Sequence, residues 1–302
     1  MKNTSITSSL ITDGQKRQYK RFVEDATEFG SNLALAKGNL DKDGLQRLLE
    51  HGDEFNSAIA EVIVAKTLEL SVSNQFADEE VKSSYGYLSG YKKPKGITEQ
   101  TNILRQLFPG IGFADEKIAS QPVPKDAEGY FAIPKWQNIA PTYSEAVQKV
   151  LDLINKTRDG KFYNYREGQI DEKHLRQSKK SAKMFQNFAE NQKDYDILVI
   201  PAQFGINHRG RSVRRALEVM SASEFGLGAF AVGIMILTHP ERLQNYNDLY
   251  IDCAGDEFSP EADGAFSRAP YFDFRDGEVG FDTHWVGDAY DYYGSASGFV
   301  PQ

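Results

Sequence analysis

The stretch from Tyr271 to Asp282, YFDFRDGEVGFD, constrains the fold more than any other part of the chain. Asp276-Gly277 suits a two-residue type I′ turn, because both central positions need a positive φ that Asp tolerates and Gly takes freely. A two-residue loop sets the register, with Arg275 opposite Glu278, Phe274 opposite Val279 and Phe272 opposite Phe281. Phe272, Phe274, Val279 and Phe281 then share one face, and Asp273, Arg275, Glu278 and Asp282 share the other. The chain therefore contains a sheet with one buried face.

Other strands are sought upstream. Asp196 to Pro201 (DILVIP) is a continuous run of the kind buried on both faces. Leu249, Ile251 and Cys253 alternate with Tyr250 and Asp252, which predicts a strand buried on one face only, and Tyr130 to Ile133 suits a further short strand. The first hundred residues read differently. Tyr19, Phe22, Val23, Ala26 and Phe29 recur at intervals of three and four, the spacing of one helix face, and a second apolar stripe runs from Leu45 to Ile63 with a bend near Gly52. These two predict a hairpin across the Gly38 to Asp43 turn. Further helices are predicted over 98–108, 144–157 and 171–192. Helices gather early and strands late, so the expected class is α+β: a helical N-terminal part (1–96), then a mixed, mainly antiparallel sheet with packed helices (97–302).

The N-terminus carries no apolar signal-like run, the longest apolar run is too short to span a bilayer, and a single Cys253 rules out an internal disulfide, which points to a cytoplasmic chain. The net charge of −8 is uneven: residues 240–302 hold 13 Asp or Glu against three Arg. Nucleotide-binding glycine fingerprints, HExxH, paired CxxC and GxSxG are all absent, so no cofactor is indicated.

The positive signal is HRGRSVRR, residues 208–215. Arg209, Arg211, Arg214 and Arg215 carry guanidinium forks that match phosphate oxygens, Gly210 permits close approach of a backbone, and Ser212 can cap a helix begun by Val213, Ala216, Leu217 and Met220. With His208 these residues make a candidate phosphate site, most plausibly for nucleic acid, assisted by Lys92, Lys93 and the nearby tyrosines. Two other readings stand beside it. Val213, Arg215, Leu217 and Val219 can line one side of a strand, and the arginines can instead pair with the acidic C-terminal part, within one molecule or between copies.

A second signal is Asp252, Asp256 and Glu257, a carboxylate set suited to a divalent metal ion. With the arginines across a cleft it would make a metal-dependent phosphate-ester hydrolase. The bland alternative is an acidic loop bonded to backbone or arginine. Cys253 with His208, His239 or His284 can form a nucleophile and base, but a lone cysteine in an apolar alternation reads first as a core residue.

The runs FGINHRGRSVRRA, EFGLGAF, LTHPERL, YIDCAGDE and GSASGFVPQ resemble a family of uncharacterised bacterial proteins, mainly over residues 196–302 and more loosely in GYFAIPK and PTYSEAV. The resemblance locates a shared body and implies no catalytic residue.

Overall fold

The computed structural model describes residues 12–37, 41–71 and 73–300, and divides into two units that part after Val72. The break falls earlier than residue 96, because the irregular segment after Ser73 is bonded throughout to the second unit, as described below.

The first unit holds α1 (Asp13–Ala36), α2 (Lys42–Glu50) and α3 (Gly52–Ser71). Thr12 starts α1 with a capping box: its Oγ1 accepts from Gln15 N–H at 3.2 Å, and its own N–H donates to Gln15 Oε1 at 2.8 Å. Asp41 caps α2 through its side chain alone, accepting from Gly44 N–H at 2.6 Å. The predicted bend at Gly52 is the break between α2 and α3; of the predicted turn from Gly38 to Asp43, residues 38–40 lie outside the described residues, and α2 already begins at Lys42. Tyr19 on α1 and Thr67 on α3 join through their hydroxyls at 2.8 Å.

The second unit is α+β, as expected. Its helices are α4 (Ile97–Leu107), α5 (Tyr143–Thr157), α6 (Lys179–Asn191), α7 (Val213–Val219) and α8 (Ala229–Thr238). One sheet has four antiparallel strands in the order β1 (Gly129–Pro134), β4 (Ile197–Gln203), β11 (Ser297–Phe299), β5 (Glu224–Gly226). The other has seven and centres on β8 (Arg268–Arg275) and β9 (Glu278–Trp285), paired in the predicted register, with Asp276 and Gly277 both at positive φ. Along it run β10 (Tyr293–Ser295), β6 (Tyr250–Asp252), β8, β7 (Asp256–Phe258) and β3 (Leu175–Gln177), while β2 (Phe162–Asn164) pairs with β9.

Two local expectations are corrected. The helix predicted from Asp171 starts only at Lys179: the Asp171 carboxylate accepts from the N–H groups of Lys173 and His174, Leu175 pairs with Phe258 in the sheet, and Ser178 is the N-cap. β6 is buried on both faces, because Tyr250 packs on Tyr271 and Tyr293 and the Asp252 carboxylate reaches His284. The closing segment is structural: β10 and β11 tie one sheet to the other. Gly294 and Gly298 make this possible, since a Cβ there would strike the Gly205 carbonyl and the Phe225 ring.

α8 lies in the middle of the core, with all ten residues buried. Gly233 sits against Val150 and Ile154 of α5 and Phe272 of β8, so the aromatic face of the hairpin is covered where the sequence required it.

Candidate functional site

The arginine motif begins a helix. Ser212 is the N-cap of α7, and its Oγ accepts from Arg215 N–H at 3.1 Å. The anions it meets belong to the chain itself. Glu79 accepts from Ser212 Oγ at 2.6 Å and takes Arg214 Nε on both oxygens, at 2.8 and 2.7 Å. Glu80 bonds Arg211 and receives two N–H groups of Arg215 at 3.1 and 3.0 Å, and Arg215 also reaches Glu218 at 2.9 Å. Arg209 donates to the Tyr85 carbonyl at 2.9 Å, and buried His208 pairs with Glu224 at 2.7 Å. The close approach that Gly210 permits is taken by the segment Glu79 to Val81. Val81 N–H donates to the Gly210 carbonyl at 2.7 Å, and Ser212 N–H donates to the Glu79 carbonyl at 3.1 Å. A Cβ on Gly210 would collide with the Val81 carbonyl oxygen.

These contacts leave their mark on the acids. The Arg214 guanidinium holds Glu79 below the ordinary carboxylate range. Burial pushes Glu218 up, but the Ser73 hydroxyl, the Phe76 and Gln75 amides and Arg215 overcome it and hold it down at about 2. Ion pairing within the molecule therefore occurs, with Glu79, Glu80 and Glu218 in place of the acids beyond Pro240. Of the assisting residues, Lys92 and Lys93 are exposed, but Tyr87 and Tyr91 turn inward and donate to Glu128 at 2.6 and 2.8 Å.

The candidate metal carboxylates do not converge. Asp252 Oδ1 meets His284 Nε2 at 2.8 Å, Glu257 meets Arg176 Nε at 2.6 Å, and Asp256 points into the core; no acid, histidine and cysteine group suited to a metal ion occurs among the described residues. Adjacent positions along a strand and its turn send their side chains to different faces, which is why nearness in sequence misled here. Cys253 is fully buried, its thiol pushed up first by burial and then by Asp256 and Asp252. It donates weakly to the Ile251 carbonyl, as a core residue does.

A different site emerges where β1 ends. Pro134 and Leu198, the Trp136 turn, the first turn of α5, the outer side of α6 and the start of α8 enclose a groove of about 280 Å³. Trp136, Tyr143, Phe185 and Phe230 give it aromatic walls, while Gln137, Gln177 and Gln186 bring amides to it. Trp136 and Tyr143 stand edge to face at 6.0 Å, and Tyr143 lies 6.4 Å from Phe230. Lys135 is committed elsewhere: its Nζ donates to the Gln192 carbonyl at 3.0 Å, at the end of α6.

The tyrosine wall is anchored from behind. Tyr143 Oη donates to Asp256 at 2.8 and 3.0 Å, and Ala229 N–H, at the first turn of α8, donates to the same carboxylate at 2.7 Å. Asp256 thus caps a helix whose own N-cap, Gly228, has no side chain to do so, and a Cβ on Gly228 would overlap that carboxylate and the phenol. Burial raises Asp256 to about 7, against the opposing pull of the Ala229 amide and the Tyr143 hydroxyl. Burial, then Asp256, pushes the Tyr143 phenol well above its ordinary range.

Sequence reasoning missed this groove because its walls come from four separated segments with no shared spacing. The only local trace is Thr142, whose side chain accepts from Glu145 N–H at 3.3 Å and so starts α5 at Tyr143. Compared with protein-family models, curated proteins and solved structures, the chain matches none. No described helix is long and apolar enough to cross a membrane.

Proposed function

We propose that this is a small-molecule-binding protein whose groove at Trp136, Tyr143, Phe185 and Phe230 takes a planar aromatic ligand with a hydrogen-bonding edge. The observation that carries the reading is the aromatic groove with amides at its wall. Apolar walls with a few polar groups, next to a buried group of shifted pKa, are how small-ligand sites are generally built. Its volume of about 280 Å³ lies just below the usual range for such sites, which favours a single ring system over an extended ligand. Aromatic walls supply stacking, and the glutamine amides supply both donors and acceptors to a heterocycle's edge. Phosphate binding at Arg211, Arg214 and Arg215 is less favoured, because a phosphate would have to displace the Glu79, Glu80 and Glu218 carboxylates that already neutralise them.

The chain has two tryptophans, Trp136 in the groove and Trp285 on β9, so Trp285→Phe leaves a single reporter. Titrating that variant with nucleobases, nucleosides, flavins and aromatic carboxylates is expected to find one class that changes Trp136 emission and raises the melting temperature. A ligand at a hundred times its Kd should add about 2.7 kcal/mol. Silence of both readouts across the panel would count against the reading, as would binding unchanged by Phe185→Glu.

A further inference from the structure

One carboxylate holds three walls of the groove. Tyr143 Oη of α5 donates to both oxygens of Asp256 at 2.8 and 3.0 Å, and Ala229 N–H of α8, one residue before Phe230, donates to Oδ2 at 2.7 Å. Gln177 of β3, a lining residue of the groove, stands directly opposite Asp256 in the β3–β7 pairing. Gly228 lets the phenol and the carboxylate lie together, since a Cβ there would strike both. Asp256 is buried behind these walls, so it acts on the groove only through the residues it holds.

The hydrogen bonds at this carboxylate depend on a proton. Ionised, Asp256 is an acceptor only, and the phenol O–H and the amide N–H both point to it. Protonated, it carries an O–H of its own, and of its two bonded neighbours only the phenol can accept it. Tyr143 accepts that hydrogen only by turning its own O–H away from Asp256, and a buried donor left without a partner is costly, so the ring must shift to find one. The titratable groups that face Asp256 are Tyr143 from α5 and, from its own segment, Cys253 and Glu257. α8 contributes the Ala229 amide and β3 the uncharged Gln177; among the described residues no arginine or lysine forms an ion pair with it.

We propose that Asp256 is the positioning residue of the groove, and that gain or loss of its proton moves the Tyr143 wall between two settings, fixed when the carboxylate is ionised and turned when it is protonated. If the groove is the ligand site proposed above, on which this regulation rests, a ligand packed on Tyr143 favours one setting and shifts the proton equilibrium in turn, by the reciprocity of linked sites. Burial raises Asp256 to about 7, so both settings are populated near neutral pH.

Trp136 reports the wall directly, because its ring stands edge to face with Tyr143 at 6.0 Å. In the Trp285→Phe protein, with no ligand added, Trp136 emission should pass between two plateaus over about two pH units centred near 7. In the same background Asp256→Asn, which cannot ionise, should give a flat profile. Tyr143→Phe keeps the ring and removes only the hydroxyl, so it should abolish the step too, and it carries the test where Asp256→Asn fails to fold. Emission unchanged from pH 5 to 9 in the Trp285→Phe protein, or a step that persists in Tyr143→Phe or in Asp256→Asn, would overturn the proposal. No ligand enters this measurement, so a silent ligand panel sinks the binding reading alone and a flat emission profile sinks this one alone.

Discussion

α8 and α1 are both helices with prominent apolar residues, and their surroundings are opposite. α8 is apolar on every side and wholly buried between α5 and the sheets, whereas α1 carries its apolar residues in one stripe and buries none of them. The first has its stability set by packing and by the Asp256 cap; the second is started by its capping box and bonded to α3 through Tyr19 and Thr67. Apolar periodicity therefore shows that a helix has a face to cover, and leaves open what covers it.

The sharpest way to break this comparison is to crowd α8. Gly233→Val should destabilise the second unit by about 3 kcal/mol or more, because a Cβ there already overlaps Val150 and the core has no slack to absorb further methyls. Chemical denaturation followed at Trp136 would measure it. Loss of the cap should come next: Asp256→Ala strands the Tyr143 hydroxyl and the Ala229 amide in the core and should cost about 2–3 kcal/mol.

The same carboxyl makes the second unit pH-sensitive. Its value of about 7 in the folded protein lies above the ordinary 3.8, so the folded state binds its proton more tightly than the unfolded state does. The stability this group contributes is full below about pH 4 and is lost as pH rises through 7. Melting temperatures from pH 5 to 8 should fall in the parent, and the slope should flatten in Asp256→Asn.

Smaller effects sharpen the contrast. Arg214→Ala removes a pair whose cation is 45% exposed, so the loss should stay near 1 kcal/mol despite its three hydrogen bonds to Glu79. Phe29→Ala on α1 should change the stability of the first unit by less than about 0.5 kcal/mol, since its ring is 71% exposed. An effect as large as that of Asp256→Ala would show that the Phe29 ring is packed after all.

Much of the framework was legible in the chain. Asp276-Gly277 set the turn and with it every pair from Phe272 to Phe281, because the φ values a two-residue loop requires are local demands that few residues meet. The run at Ile197 announced a strand buried on both faces, and Ser212 announced the start of α7. The three-residue strands β2, β3, β5, β7, β10 and β11 were not legible as strands, since segments that short carry no alternation to read.

Local sequence thus determined the class, the hairpin register, most of the helices and the presence of a dense arginine motif. Tertiary structure alone decided partners. Glu79 and Glu80, more than 130 residues before Arg214 and Arg215, neutralise the motif; Asp252, Asp256 and Glu257 part company within six residues; and four distant segments make the aromatic groove. Turn and cap chemistry acts over a few residues and is written in them, whereas a charge or a ring takes whichever partner the folded chain brings within reach, and sequence separation says nothing about that distance.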